Sequence, residues 1–308
     1  MTKGLVILAR TVLFLVLFQA STTFVWLKHN TACAEKKKII LKQADRLQGG
    51  EARSPEGRVE PVRSVSGNVI FEHENMLLAC EKATEFLESG ILQLEGNIYM
   101  TDQKLEVYCD DALYYPDTEI ADLENNVRGR FIENGLITKS KRALINKPAN
   151  RIDLYGDAIA WQDERQLSGD SILVQLREVE GSTSVERLRV IGNAFFAARD
   201  TLDLTRPLYN QLSGKTMLIT LNDQEQLTGI QVDAQARSLY FSYDDDSSPS
   251  GVNFSSGNTI LMSFTGGVLD RIKVSGNVEG KQYPNKLRGT PGINLPGFRL
   301  RYDEKPEF

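Results

Sequence analysis

Apolar and polar residues alternate in short segments that recur along the chain. The clearest segment reads apolar-x-Gly-Asn-apolar, as in residues 65–69 and again in residues 94–98. Residues two positions before and two positions after its centre are apolar in all seven copies, the period of a strand with one buried face. The centres are Gly67, Gly96, Asn125, Gly156, Gly192, Ala234 and Gly276. The pattern predicts a strand at each copy.

A second segment, small-x-x-small-x-x-apolar, lies between successive copies of the first. It begins at Cys80, Cys109, Ser140, Ser168, Ser213 and Ser256. The centres of the first segment are 29, 29, 31, 36, 42 and 42 residues apart, so the shorter repeats leave no room for a long helix. We therefore expect an all-β fold of stacked antiparallel repeats, in which two sheets or one rolled sheet form a solenoid-like trough with apolar stripes inside.

The centre of the first segment admits two interpretations. Simple alternation places the small central residue inward, with the amide that follows it stacked on amides of neighbouring strands. Alternatively, the Gly-Asn pair serves a kink or turn in the strand. The phase of the second segment cannot be assigned from the pattern, because its mixed spacing permits a bulge.

The pattern of the first 34 residues predicts an export signal. Lys3 and Arg10 precede an apolar run from Thr11 to Leu27, and the small-x-small sequence of residues 32–34 follows. We expect an N-terminal signal helix in residues 1–34, cleaved after Ala34. An uncleaved anchor over residues 5–27 and lipid attachment at Cys33 are the alternatives. Each places the remainder outside the cytoplasm.

Composition and charge narrow the function further. Beyond residue 34 the chain has 33 basic and 41 acidic residues, which argues against nucleic acid as a partner. Its two histidines are His29, inside the signal, and His73. We expect no enzyme, metal site or cofactor, because no Ser-His-Asp arrangement, P-loop or dinucleotide fingerprint is evident.

Cys80 and Cys109 remain after the signal, at equivalent positions of two successive repeats. An oxidising compartment allows a disulfide between them if their strands are adjacent, whereas strands one further apart exceed the reach of the bridge. Two small buried thiols are the alternative.

The repeated Gly-Asn-Val strands, residues 39–45 (Ile-Ile-Leu-Lys-Gln-Ala-Asp) and the Cys-Asp-x-Ala-x-x-Tyr unit of residues 109–115 together resemble the organic-solvent-tolerance (OstA-like) group. These are periplasmic β-jellyroll proteins of lipopolysaccharide transport. The resemblance extends over residues 39–308 and includes Asn294–Phe298. It implies an interior that receives acyl chains, and head-to-tail docking with itself or with similar jellyroll proteins. The recurring segments themselves predict repeats over residues 39–288, and the prolines near the C-terminus predict a Pro-rich, extended tail over residues 289–308.

Apolar positions predicted to face inward are the candidates for lipid binding. They are Val69, Phe71, Leu94, Ile98, Met100, Leu123, Val127, Leu154, Ala158, Val190, Phe196, Val232 and Val274. For each, ordinary core packing is the alternative. Two other functions stay open. One is a β-helix enzyme acting on polysaccharide through Asp110 and Asp111, and the other is a structural or adhesive repeat. A calcium-binding turn over residues 244–251 is a further alternative.

Overall fold

Strands joined by tight turns make up most of the chain up to Tyr283. The computed structural model describes residues 39–179, 182–203, 205–244 and 246–308. Its strands are β1 (Ile40–Gln43), β2 (Arg46–Arg53), β3 (Val59–His73), β4 (Met76–Phe86), β5 (Leu92–Thr101), β6 (Leu105–Tyr115), β7 (Ile120–Phe131), β8 (Ile137–Asn146), β9 (Arg151–Gln162), β10 (Arg165–Val179), β11 (Ser182–Arg199), β12 (Tyr209–Leu221), β13 (Leu227–Tyr243), β14 (Pro249–Thr265), β15 (Val268–Ser275) and β16 (Glu279–Tyr283). Three short 3₁₀ turns follow, at Asn285–Leu287, Pro291–Ile293 and Tyr302–Glu304.

The strands form one antiparallel meander. From β3 to β15, every strand pairs with its neighbours in sequence. At the first end β1 and β2 both pair with β3, and at the last end β15 and β16 both pair with β14. The prediction of an all-β fold of stacked antiparallel repeats is confirmed.

Each Gly-Asn centre is a sharp bend in its strand. Gly67 and Asn68 have φ values of 80° and 47°, and the pairing register of β3 with β4 shifts between Ser66 and Val69. Glycine and asparagine adopt this left-handed conformation more easily than other residues. All seven copies have two such residues in succession: 67–68, 96–97, 125–126, 156–157, 192–193, 234–235 and 276–277. The kink interpretation is therefore confirmed.

The bends correct two details of the alternation argument. Two left-handed residues interrupt the period of two, so the central residue lies at an outer corner and not inside. A Cβ added to Gly67 would lie 2.9 Å from Cβ of the exposed Asp45. Four of the amides also find acidic partners. Nδ2 donates to a carboxylate of the neighbouring chain segment in the pairs Asn68–Asp45, Asn97–Glu81, Asn126–Asp110 and Asn193–Asp170, whereas Asn277 donates to the amide of Asn258.

The bends divide the sheet into two walls. The β1 wall contains β1, β16 and the half-strands that pair between them. The β2 wall contains β2, β15 and the other halves. Val65 and Val69 lie on either side of one bend, yet both belong to a single buried core that extends from β3 to β14. The walls therefore face each other across this core.

Residues 285–308, here called the tail, cover the outer face of the β1 wall. Ile293 and Leu295 pack with Phe195, Tyr209 and Phe241 in a second apolar cluster. Farther along, the Phe308 ring lies 5.8 Å from that of Tyr108 on β6. The tail thus runs back across the strands from β14 toward β6.

Buried polar side chains attach the tail to the wall. Gln211 accepts from the Leu295 N–H at 2.9 Å and donates to Asn294 Oδ1 at 2.7 Å. The buried guanidinium of Arg288 donates to Asp200 at 3.1 Å and lies over the Tyr243 ring. Because Gln211, Asp200 and Arg288 are buried, their pairing specifies one path for the tail.

The signal segment and its cleavage site lie outside the described residues. Within residues 39–308, apart from the gaps given above, no helix is long and apolar enough to span a membrane.

Candidate lipid-binding groove

Two cavities open between the walls at the end away from the bends. The N-terminal cavity has a volume of about 240 Å³ and the C-terminal cavity about 440 Å³. Each is bordered by the turn-side ends of strands from both walls. The apolar residues that line the N-terminal cavity include Met76, Met100, Leu105, Val107, Phe131, Ile145, Ile152 and Leu176. Those that line the C-terminal cavity include Leu167, Leu188, Phe196, Leu221, Leu227, Phe264 and Leu269.

The thirteen predicted inward residues all lie in the inner core or against it. Phe196 and Val274 are partly buried, and the other eleven are buried. Met100 lines the N-terminal cavity and Phe196 the C-terminal cavity, each four residues after its bend centre. Ile98, Leu123 and Val190 are completely buried beside the bends. The thirteen residues therefore share one interior. It is packed near the bends and open at the turn-side end, here called the mouth of the groove.

The mouth contains apolar residues that the sequence argument did not select. Leu105, Leu176, Leu188 and Leu227 are partly buried, pack on the inner core and line a cavity. Their signal in the sequence is distance from the nearest bend, because positions farther along a strand lie closer to the mouth. Charged side chains, among them Lys104, Lys147, Arg151 and Glu133, surround the N-terminal opening.

Polar contacts join the two walls across the mouth. Nζ of Lys147, in the β8–β9 turn, lies 3.5 Å from the Glu74 carboxylate in the β3–β4 turn. Lys104 Nζ, in the β5–β6 turn, donates to Thr183 Oγ1 at 3.1 Å. Asn134 Nδ2 donates to both Glu225 carboxylate oxygens, at 3.0 and 2.9 Å.

The other candidate residues are buried thiols or hydrogen-bonded side chains. Cys80 and Cys109 are free, buried thiols on β4 and β6, which are separated by β5. Burial raises the pKa of each to about 12. His73 is hydrogen-bonded to Tyr114 between the two walls. Asp110 and Asp111 accept hydrogen bonds from Asn126 and Asn125 at an exposed corner.

In the turn over residues 244–251, Asp246 accepts the Ser248 N–H at 2.9 Å. Among the residues that the structure describes, no group of three or more His, Cys, Asp or Glu side chains could hold a metal ion.

The geometry defines a class of protein: an antiparallel β-jellyroll with a two-walled apolar groove. The family model for OstA-like proteins matches residues 36–172, somewhat under half of the chain, and over this region the resemblance is confirmed. A similar solved structure is LptH of Pseudomonas aeruginosa, described as the LptA homologous periplasmic component of the lipopolysaccharide transport device. It is 13% identical with a TM-score of 0.38, and the match covers 49% of this chain and 97% of LptH. No curated protein matches the sequence.

Proposed function

We propose that this chain is a periplasmic carrier of lipopolysaccharide or a similar lipid, and that it holds acyl chains in the groove between its walls. The observation that carries the proposal is the pair of apolar cavities between the turn-side ends of the walls. Burial of an acyl chain gains about 0.8 kcal/mol per CH₂, so a chain exposed in water has a strong tendency to enter such a groove. A binding role requires no catalytic group, in keeping with the expectation of no enzyme.

Docking to other jellyroll domains is the second part of the proposal. β2 and β15 are each eight residues long and exposed, and within the described residues each pairs with a strand on one side only. The chain passes from the β1 wall to the β2 wall along β1 and β2, and in the opposite direction along β15 and β16. The last edge of one domain beside the first edge of another would therefore extend the antiparallel order and join the two grooves.

Site-specific photocrosslinking tests the lipid-binding part. A benzoylphenylalanine residue replaces Phe196 in the C-terminal cavity or Leu105 in the N-terminal cavity. The control position is Leu261, which is 38% exposed and pairs with Gln231 and Lys273 on the β2 wall. After irradiation in cells, we expect lipid adducts at positions 196 and 105, identified by mass spectrometry, and none at position 261.

An adduct with a sugar oligomer would instead favour a β-helix enzyme that acts on polysaccharide. Absence of any adduct at positions 196 and 105, in a protein that co-purifies with no lipid, would contradict the carrier function.

A further inference from the structure

The two cavities meet at the β7–β8 turn, where Gln162 Nε2 of the C-terminal cavity donates to the Asn134 carbonyl at 3.4 Å and the Asn134 side chain makes a second contact. Asn134 lines the N-terminal cavity and belongs to the β7–β8 turn of the β1 wall. Glu225 lines the C-terminal cavity and belongs to the β12–β13 turn of the β2 wall. Their side chains are hydrogen-bonded through both carboxylate oxygens, so the contact stands on the boundary between the cavities.

Glu225 is held in place from two further sides. Its Oε1 accepts the N–H of Val185 at 3.0 Å, near the start of β11 in the β2 wall. Its own backbone is left-handed, with φ of 55°, and its N–H donates to the Asn222 carbonyl at 3.0 Å. The carboxylate is thus bound to β11 and to the opposite wall, although it lies on an exposed turn.

We propose that the Asn134–Glu225 contact is a gate that sets the usable length of the lipid groove. This inference rests on the proposed lipid-binding function. With the contact made, the C-terminal cavity ends at Glu225. With the contact broken, that cavity runs into the N-terminal one, and a longer acyl chain fits along the joined interior. The N-terminal cavity alone, at about 240 Å³, is below the range of roughly 300–1,000 Å³ usual for ligand pockets.

The contact is suited to opening because it is made by side chains alone. Both residues are partly exposed, so their polar groups exchange the contact for water without being left unpaired. The inner core beside the bends does not depend on it. A ligand that occupies both cavities favours the open state by its differential affinity for that state.

A chain-length series of saturated fatty acids, from octanoic to stearic acid, tests the gate. Dissociation constants are measured by displacement of a fluorescent fatty acid from the purified protein. In the unsubstituted chain, we expect each added methylene to tighten binding about fourfold until the C-terminal cavity is filled, after which the gain stops. Glu225→Ala should move this stop to longer chains and tighten binding of the longest acids about tenfold.

Matched variants separate the gate from general damage. Asn134→Ala breaks the same contact from the other wall and should have the same effect. Asp223→Asn, on the same turn but paired with Arg177 in solvent, should behave as the unsubstituted chain. In an Asn134→Cys, Glu225→Cys double variant, a short thiol crosslinker should return the stop to its original length. The buried Cys80 and Cys109 do not compete for the reagent.

The outcomes distinguish the two proposals. If Glu225→Ala and Asn134→Ala bind fatty acids with the stop unmoved, the gate is wrong and the carrier function stands. If no protein in the set, the unsubstituted chain included, gains affinity with chain length, the carrier function fails and the gate fails with it.

Discussion

The bend at each of the seven centres depends on two adjacent residues with left-handed backbone. A side chain at Gly192 would be unfavourable for two reasons. The φ angle is 72°, and a Cβ would lie 2.9 Å from Cβ of Asp170 on the adjacent strand. Gly90, in the β4–β5 turn, has φ of 71° and open space around it. These two glycines therefore share the backbone requirement and differ in the crowding.

We predict that Gly192→Ala destabilises the fold by about 2 kcal/mol and Gly90→Ala by about 1 kcal/mol. The left-handed conformation costs a non-glycine residue roughly 1–2 kcal/mol, and forced contact adds to it. Urea unfolding of both variants measures the difference. Equal losses of stability would show that the corner beside Asp170 yields freely, and that packing at the bends is not tight.

The buried thiols make a prediction about pH. Burial raises the pKa of Cys80 and Cys109 to about 12, so the folded state favours their protonated form. Their contribution to stability is complete below the unfolded pKa of about 8.5 and is lost as pH rises from there toward 12. Iodoacetamide at pH 8 should therefore leave both thiols unmodified in the native protein and alkylate both in urea.

The urea midpoint should also fall between pH 9 and pH 11, and fall less in a Cys80→Ala, Cys109→Ala variant. Rapid alkylation of the native protein, or the same pH dependence in both proteins, would contradict burial of the thiols.

Among the secondary-structure elements, local sequence pattern predicts the strands. It does not predict which residues meet at the mouth of the groove. The bend centres and the buried residues beside them were predictable, because a Gly-Asn pair and a period of two are local signals. Asn134 and Glu225 were not, because they lie 91 residues apart in turns that have no period. The tail likewise reads as an extended segment. Its position on the β1 wall depends on Gln211, a polar residue in a strand with no local mark of its partner.

Gln211 makes the tail testable as an element. We predict that Gln211→Leu destabilises tail docking by about 2 kcal/mol, because the Leu295 N–H and the Asn294 side chain lose their buried partner. Hydrogen exchange measured by mass spectrometry should become faster in residues 291–301 and stay unchanged in β3 to β5. Gln48→Leu on the exposed strand β2 is the control. Equal exchange in both variants would mean that apolar contacts alone hold the tail.

At the scale of the whole molecule, the two ends of the meander are complementary in form. The first edge has a short strand in the β1 wall followed by an eight-residue strand in the β2 wall. The last edge has an eight-residue strand in the β2 wall followed by a short strand in the β1 wall. The tail leaves β16 and crosses the outer face of the β1 wall, so it does not pair with β15. In the part of the chain that the structure describes, both edges thus keep unpaired backbone groups, which can template addition of a further strand.

We predict that the purified chain associates end to end in a concentration-dependent manner, and that one proline in β15 abolishes this. Along an edge strand, backbone N–H groups point alternately toward the neighbouring strand and toward solvent. Of the consecutive variants Ile272→Pro and Lys273→Pro, one therefore removes a donor to β14 and lowers the melting temperature. The other removes only an outward donor and keeps stability.

The variant that keeps its melting temperature should sediment as a monomer at concentrations where the unsubstituted chain forms larger species. If the unsubstituted chain is itself a constant monomer over the series, self-docking is excluded and the edges are left for other jellyroll domains. If the stable proline variant still assembles, the contact does not use β15, because proline removes one outward donor from the middle of this strand and is poorly tolerated between two paired strands.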